Sequence, residues 1–252
     1  MAAIFSLISP SAQLRLSVAL RNRGKNLLVY SRSGRAGFKL RRPESVEDAV
    51  KLEFWIDPAC PWCWLTSRWI EDIAPERDLD VVWRPISLKF KNDLDSSSPY
   101  FEAVSYTHGL LRVMEAVRSV EGDAPLGRLY TVFGQRIHHE GDLTTAPADL
   151  LSEAGLDSSY AHAFEDESWD VAIRESMADG LGLTGEDVGT PILAFKDQAG
   201  KRVGFFGPVI SRRLALDEGL RLWDGISLAA TVEGFWELKR TRTVEPDFSP
   251  AS

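Results

Sequence analysis

Cys60 and Cys63 are the only two cysteines of the chain, three apart in Cys60-Pro61-Trp62-Cys63. A pair at this spacing can close and reopen a disulfide, so thiol–disulfide chemistry is the first candidate. A purely structural bridge is a poor alternative, because closing so short a loop stabilises little. A metal site would need further ligands. His138 and His139 are the candidates, but neighbours on a helix diverge, and two cysteines exclude a four-cysteine zinc site, so no metal ligand is assigned. Two spectator cysteines would not need Pro-Trp between them at a helix start.

The flanking residues place the pair. Lys51 to Ile56 alternates, with Leu52, Phe54 and Ile56 on one face, and reads as a strand ended by Asp57-Pro58. Trp62, Leu65, Trp69, Ile70 and Ile73 recur at helical spacing, which predicts a helix over 61–74. Cys60 then lies at a helix N-terminus, where unpaired N–H groups and the helix dipole favour a thiolate. Pro61 suits the first helical position, having no N–H to lose. Cys60 is therefore the expected attacking thiolate and Cys63 the resolving thiol. Asp57 is either a proton-transfer group or a cap on the strand-to-helix turn. Of Trp62 and Trp64, one is expected as an exposed platform for substrate and the other as core, the order being open.

A second signal is Gly189-Thr190-Pro191, immediately before the strand Ile192–Phe195. An X-Pro bond there can be cis. In a thioredoxin-like fold such a loop sits against the cysteine pair, so Thr190–Pro191 is expected cis and beside Cys60.

The elements around these signals read as strand, helix, strand, helical block, strand, strand, helix. Val81-Val82-Trp83 is the second strand, and 86–99 a polar connection. Candidate helices cover 100–120, 126–139, 146–154, 158–165 and 168–182, punctuated by Gly122, Gly141, Gly155 and Gly185. Val203–Phe206 is the last strand, followed by a helix at about 211–220 and an amphipathic stretch to Lys239. Within the block, Tyr130, Arg136 and His138 are candidates for binding a polar thiol, although Arg136 and His138 share a ligand only if the helix becomes irregular. The alternative is a capping or salt-bridged pair. His108, before Gly109, either lines the same cleft or lies at the surface, the surface being the expectation. Lys239-Arg240-Thr241-Arg242 either attracts an anionic substrate or is a solvated segment.

Charge divides the chain. Residues 1–45 hold nine Lys/Arg against Glu44 alone, whereas 46–252 hold 20 Lys/Arg against 36 Asp/Glu. An acidic body is a poor nucleic-acid binder, and no apolar run is long enough for a membrane span. The basic segment resembles a transit peptide in composition, and a secretory signal is disfavoured because no Lys or Arg precedes Ala2–Ile8. The favoured reading is a start near Val46 or Val50, with a GUG codon translated as Val. N-terminal sequencing of protein made from the native gene would decide it, a first residue near Met1 excluding it.

Five stretches together resemble one family. They are Phe54-Trp55-Ile56-Asp57-Pro58-Ala59-Cys60-Pro61-Trp62-Cys63-Trp64-Leu65-Thr66-Ser67-Arg68-Trp69, Gly134-Gln135-Arg136-Ile137-His138, Gly185 to Pro191, Phe205-Phe206-Gly207-Pro208-Val209 and Glu237-Leu238-Lys239-Arg240-Thr241-Arg242-Thr243. In this order, across about 51–248, they resemble the DsbA-like mycothiol-dependent nitroreductases of actinobacteria, a match far more specific than C-x-x-C alone. The resemblance implies an α/β, thioredoxin-like domain with an all-helical insertion forming a lid. The expected division is a basic extension over 1–48, disordered or a mis-assigned start, a thioredoxin-like domain over 49–96 and 188–252, and a helical subdomain over 97–187. It also implies a cytoplasmic oxidoreductase, with mycothiol as thiol co-substrate, no bound cofactor, Cys60 as nucleophile and Cys63 as resolving residue. Small electrophiles, nitroaromatics among them, and disulfides are the implied substrates, and a homodimer is left open. Two other classes remain. Kappa-type glutathione transferases and 2-hydroxychromene-2-carboxylate isomerases share the insertion but activate a bound thiol without a redox pair. A non-enzymatic binding or chaperone module would have a redox-inert pair.

Overall fold

The computed structural model describes residues 49–197 and 199–251. The expectations for the basic N-terminal segment lie outside the described residues.

Strand β1 (Val50–Ile56) is central and pairs in parallel with β2 (Leu79–Pro85), with Phe54 opposite Trp83. On its other edge it pairs antiparallel with β3 (Ile192–Lys196), which pairs antiparallel with β4 (Arg202–Phe206). The order β2-β1-β3-β4, with the cysteine pair following the central strand, is thioredoxin-like. Leu52, Phe54, Trp55 and Ile56 are all buried. Burial of successive residues means that both faces of the strand are covered, since neighbouring side chains in a strand point to opposite faces.

Helix α1 (Pro61–Arg77) connects β1 to β2, and α7 (Leu216–Ala229) packs against it. The seam closes where Trp69 Nε1 donates to the Gly219 carbonyl at 3.0 Å. A β-carbon on Gly219 would stand 2.9 Å from the Trp69 ring, so this approach requires glycine.

Between β2 and β3 every regular element is helical. They are a short turn α2 (Leu88–Lys91), α3 (Phe101–Glu121), α4 (Leu126–Gly134), α5 (Pro147–Glu153) and α6 (Asp170–Thr184). Four expectations change in detail. The polar connection 86–99 holds α2, whose N–H at Phe90 is capped by the Ser87 hydroxyl. The segment 158–169 forms two 3-10 turns, because Asp157 and Asp166 each cap a backbone N–H two residues on. Helix 126–139 becomes a π turn over Gln135–His139. The final helix spans 216–229 rather than 211–220. It starts where Glu218 accepts the Ala215 N–H, and 231–251 continues as an irregular arm rather than an amphipathic helix. Among the described residues, no helix is long and apolar enough to cross a membrane.

Candidate active site

Both cysteines are free thiols. Cys60 is the N-cap of α1, with extended backbone, and Pro61 opens the helix. The Cys60 sulfur accepts the Cys63 N–H at 3.4 Å and lies 3.7 Å from the Thr190 carbonyl. The Thr190–Pro191 bond is cis. Cys63 is fully buried, its sulfur 3.7 Å from the Trp55 carbonyl and 3.3 Å from the Thr190 hydroxyl. The Tyr130 hydroxyl faces Cys63 without a hydrogen bond of ordinary geometry.

Cys60 is 6% exposed, and this changes its electrostatics. Burial pushes the Cys60 thiol up to about 12, and the negative charge of Asp57 adds to this. The N–H groups at the helix start and the guanidinium of Arg242 pull the other way. The thiolate expected from helix position is therefore outweighed by desolvation while the sulfur is covered. Burial also raises the Cys63 thiol, with the neighbouring Cys60 as the second cause.

Asp57 spans the loops behind the pair. One carboxylate oxygen accepts the Ala59 N–H at 2.7 Å, and the other accepts the Leu88 N–H at 2.6 Å. It caps the turn and also titrates unusually. Burial raises it to about 6, against the lowering effect of the Leu88 and Ala59 N–H groups and the Thr107 hydroxyl.

Of the two tryptophans, Trp64 is the buried one and Trp62 is half-buried at the rim. The Arg242 guanidinium lies over the Trp62 ring at 5.0 Å. Trp64 packs edge-on to Tyr130 and stacks on His138, while His139 meets it edge-on and accepts from its Nε1 at 3.2 Å. The π turn lets adjacent histidines flank one ring, against the expectation that they diverge. Burial pushes His138 down to about 4, and its Nε2 has no partner among the described residues. Tyr130, Trp64 and His138 thus stand together beside the pair. Arg136 stands apart, in ion pairs with Glu140 and Glu153, each at 2.7 Å. A cavity of about 330 Å³ beyond Trp64 is lined by Arg68, Gln135, His139, Arg213 and Phe248, and by neither cysteine.

His108, expected at the surface, is buried. Its Nδ1 lies 2.9 Å from the Ser87 hydroxyl and its Nε2 2.9 Å from Asp170, which Arg112 also holds at 2.6 Å. The apolar length of α3 conceals this, because the partners come from distant loops. Two further features went unread in the sequence. Gly207–Pro208 is a second cis bond, and the Pro208 carbonyl that follows it accepts from the Thr66 hydroxyl at 2.8 Å. Gly-Pro directly after a strand was the available signal. Phe248 packs against both His138 and His139, and only its being a lone aromatic in a polar tail hinted at this. Among the described residues, no group of three or more His, Cys, Asp or Glu side chains is placed to hold a metal.

Comparison with known proteins adds to this geometry. A cytosolic disulfide reductase, DsbM, from Pseudomonas aeruginosa superposes with a TM-score of 0.44 at 18% identity, over 71% of this chain and 99% of its own. A probable DsbA oxidoreductase from Streptomyces coelicolor gives 0.47 at 16% identity, over 77% and 94%. In sequence, the uncharacterized protein Rv2286c of Mycobacterium tuberculosis is 26% identical over 197 residues, 76% of this chain and 82% of that protein. The family model described as mycothiol-dependent nitroreductase Rv2466c matches residues 59–240. The chain belongs to this Rv2466c-like family and is an oxidoreductase.

Proposed function

We propose that the protein is a cytoplasmic thiol–disulfide oxidoreductase that cycles the Cys60–Cys63 pair, with mycothiol as its reducing thiol. In the oxidised protein the two sulfurs share a disulfide. One thiol attacks it, forms a mixed disulfide on Cys60 and frees Cys63. A second thiol attacks the mixed disulfide, restoring Cys60 as a thiol and releasing the oxidised thiol dimer. The dithiol then gives two electrons and two protons to a small substrate. A disulfide becomes two thiols, or a nitro group becomes nitroso with loss of water, and the pair closes again. The helical segment over 97–187 acts as the lid over this chemistry, and Tyr130, Trp64 and His138 line the face on which the thiol binds.

One observation carries the reading. Cys60 at the helix start accepts a backbone N–H and faces the carbonyl before a cis proline, with Cys63 one turn on. It supports the reading in which Cys60 is the nucleophile, Cys63 its resolving partner and the Thr190 carbonyl edge the seat of the substrate. Cys60→Ser should abolish turnover, whereas reduced Cys63→Ser given a substrate disulfide without added thiol should trap a mixed disulfide on Cys60, read by intact mass. Full activity in the Cys60→Ser protein excludes the mechanism. A redox titration with mycothiol, glutathione and thioredoxin as separate reductants tests the thiol, and efficient reduction by glutathione or thioredoxin but not mycothiol removes that part.

A further inference from the structure

One residue of the basic run near the C-terminus, Arg242, finds a place beside the cysteine pair. The arm after α7 is tied at two points. Phe235 packs on Phe205 of β4, and further on Asp247 N–H donates to the Ser211 carbonyl at 2.8 Å while Phe248 packs on His138 and His139. Arg242 lies between these ties, exposed, with its guanidinium 5.0 Å above the ring of Trp62, the residue between Pro61 and Cys63. Most arginines of the folded body are held in ion pairs, but Arg242 makes none among the described residues. A guanidinium laid over an aromatic ring keeps its N–H edge free for a carboxylate or similar group. It stands on a body with 36 acids against 20 bases over 46–252, which repels anions elsewhere.

We propose that Arg242 is a charge-selecting residue of the Cys60–Cys63 site, receiving the anionic group of a small disulfide or electrophile as it is presented to Cys60. The inference rests on the redox reading above and adds the charge class of the preferred substrate. In the reaction Cys60 gives up its proton and its sulfur attacks one sulfur of the substrate disulfide, forming a mixed disulfide and expelling one substrate thiolate, which takes up that proton. Cys63, losing its proton, then attacks the Cys60 sulfur and expels the second. Two electrons pass from the dithiol to the substrate. Arg242 acts before and during the first attack, by holding the anion near the rim.

The test uses the reduced full-length protein and three disulfide probes of different charge. They are anionic dithiobis(nitrobenzoate), neutral dithiodipyridine and cationic cystamine. The readout is the ratio of second-order rate constants, anionic over neutral and cationic over neutral. In Arg242→Gln the anionic ratio should fall roughly fivefold to tenfold and the cationic ratio should rise, both effects shrinking at high salt. Arg242→Lys should restore most of the preference, and Arg242→Glu should invert it. Unchanged ratios in Arg242→Gln overturn the proposal, even if all three rates fall together, since a role confined to Cys60 acidity or to arm packing would do that. If the wild-type dithiol reduces none of the probes, the redox reading fails and this inference with it. The wild-type rates alone distinguish the two failures.

Discussion

The Thr190 hydroxyl stands 3.3 Å from the Cys63 sulfur while donating to the Trp55 carbonyl at 2.8 Å. Its single proton serves the carbonyl while Cys63 is a thiol and can turn to the sulfur when a thiolate forms there. Thr190→Val keeps the shape and removes that donor. Loss of the hydrogen bond should cost about 1 kcal/mol of stability. The larger effect is expected on resolution, where release of a Cys60 mixed disulfide should slow several-fold in stopped-flow measurements. An unchanged release rate would show that the hydroxyl plays no part in freeing Cys63.

Asp57 and His138 should oppose each other in the pH dependence of stability. Asp57 is raised from 3.8 to about 6, so the folded state binds its proton more tightly than the unfolded chain. Its contribution is full below pH 4 and is lost as pH rises through about 6. His138 is lowered from 6.5 to about 4, so its contribution is full above pH 6.5 and is lost as pH falls toward 4. Each is worth about 3 kcal/mol across its window, and the two slopes largely cancel in the wild type. Asp57→Asn should expose a steep loss of stability in acid, and His138→Phe the reverse slope. Urea midpoints measured between pH 4 and 7 check this, and parallel profiles for all three proteins would refute it.

Gly134 admits Trp64. A β-carbon there would lie 2.1 Å from the indole ring, so Gly134→Ala must displace the tryptophan that His138 and His139 flank. Overpacking of this kind costs about 1–3 kcal/mol. Gly182→Ala is the control. It sits exposed in α6 with nothing within 4 Å of an added β-carbon, and should be neutral or stabilising by about 0.5–1 kcal/mol. Equal urea midpoints for the two variants would contradict the close packing.

Asp170 holds two buried cations or donors at once, Arg112 and His108. Asp170→Ala leaves the buried Arg112 guanidinium with only the exposed Glu167 carboxylate at 4.0 Å, and the loss should be about 3 kcal/mol. Chemical denaturation measures it, and a change below about 1 kcal/mol would mean that water replaces the carboxylate.

The sequence alone located β1, α1, the two C-terminal strands and the cysteine pair at a helix start. These are local features, set by period-2 and period-3.6 patterning and by the chemistry of Pro61 at a first helical position. Alternation in Lys51–Ile56 could be read because a strand reports its own faces. What only the tertiary structure decided depends on groups far apart in the chain. His108 looked like a surface residue because Ser87 and Asp170 reach it from other loops. Which tryptophan is buried was settled by Tyr130 and His138 closing on Trp64. The acidity of Cys60 turned on burial beneath neighbouring elements, which outweighs the helix N-terminus that the sequence displays. Arg242 could be noticed as charge in the sequence, but its place over Trp62 exists only because Phe235 and Phe248 tie down the arm on either side.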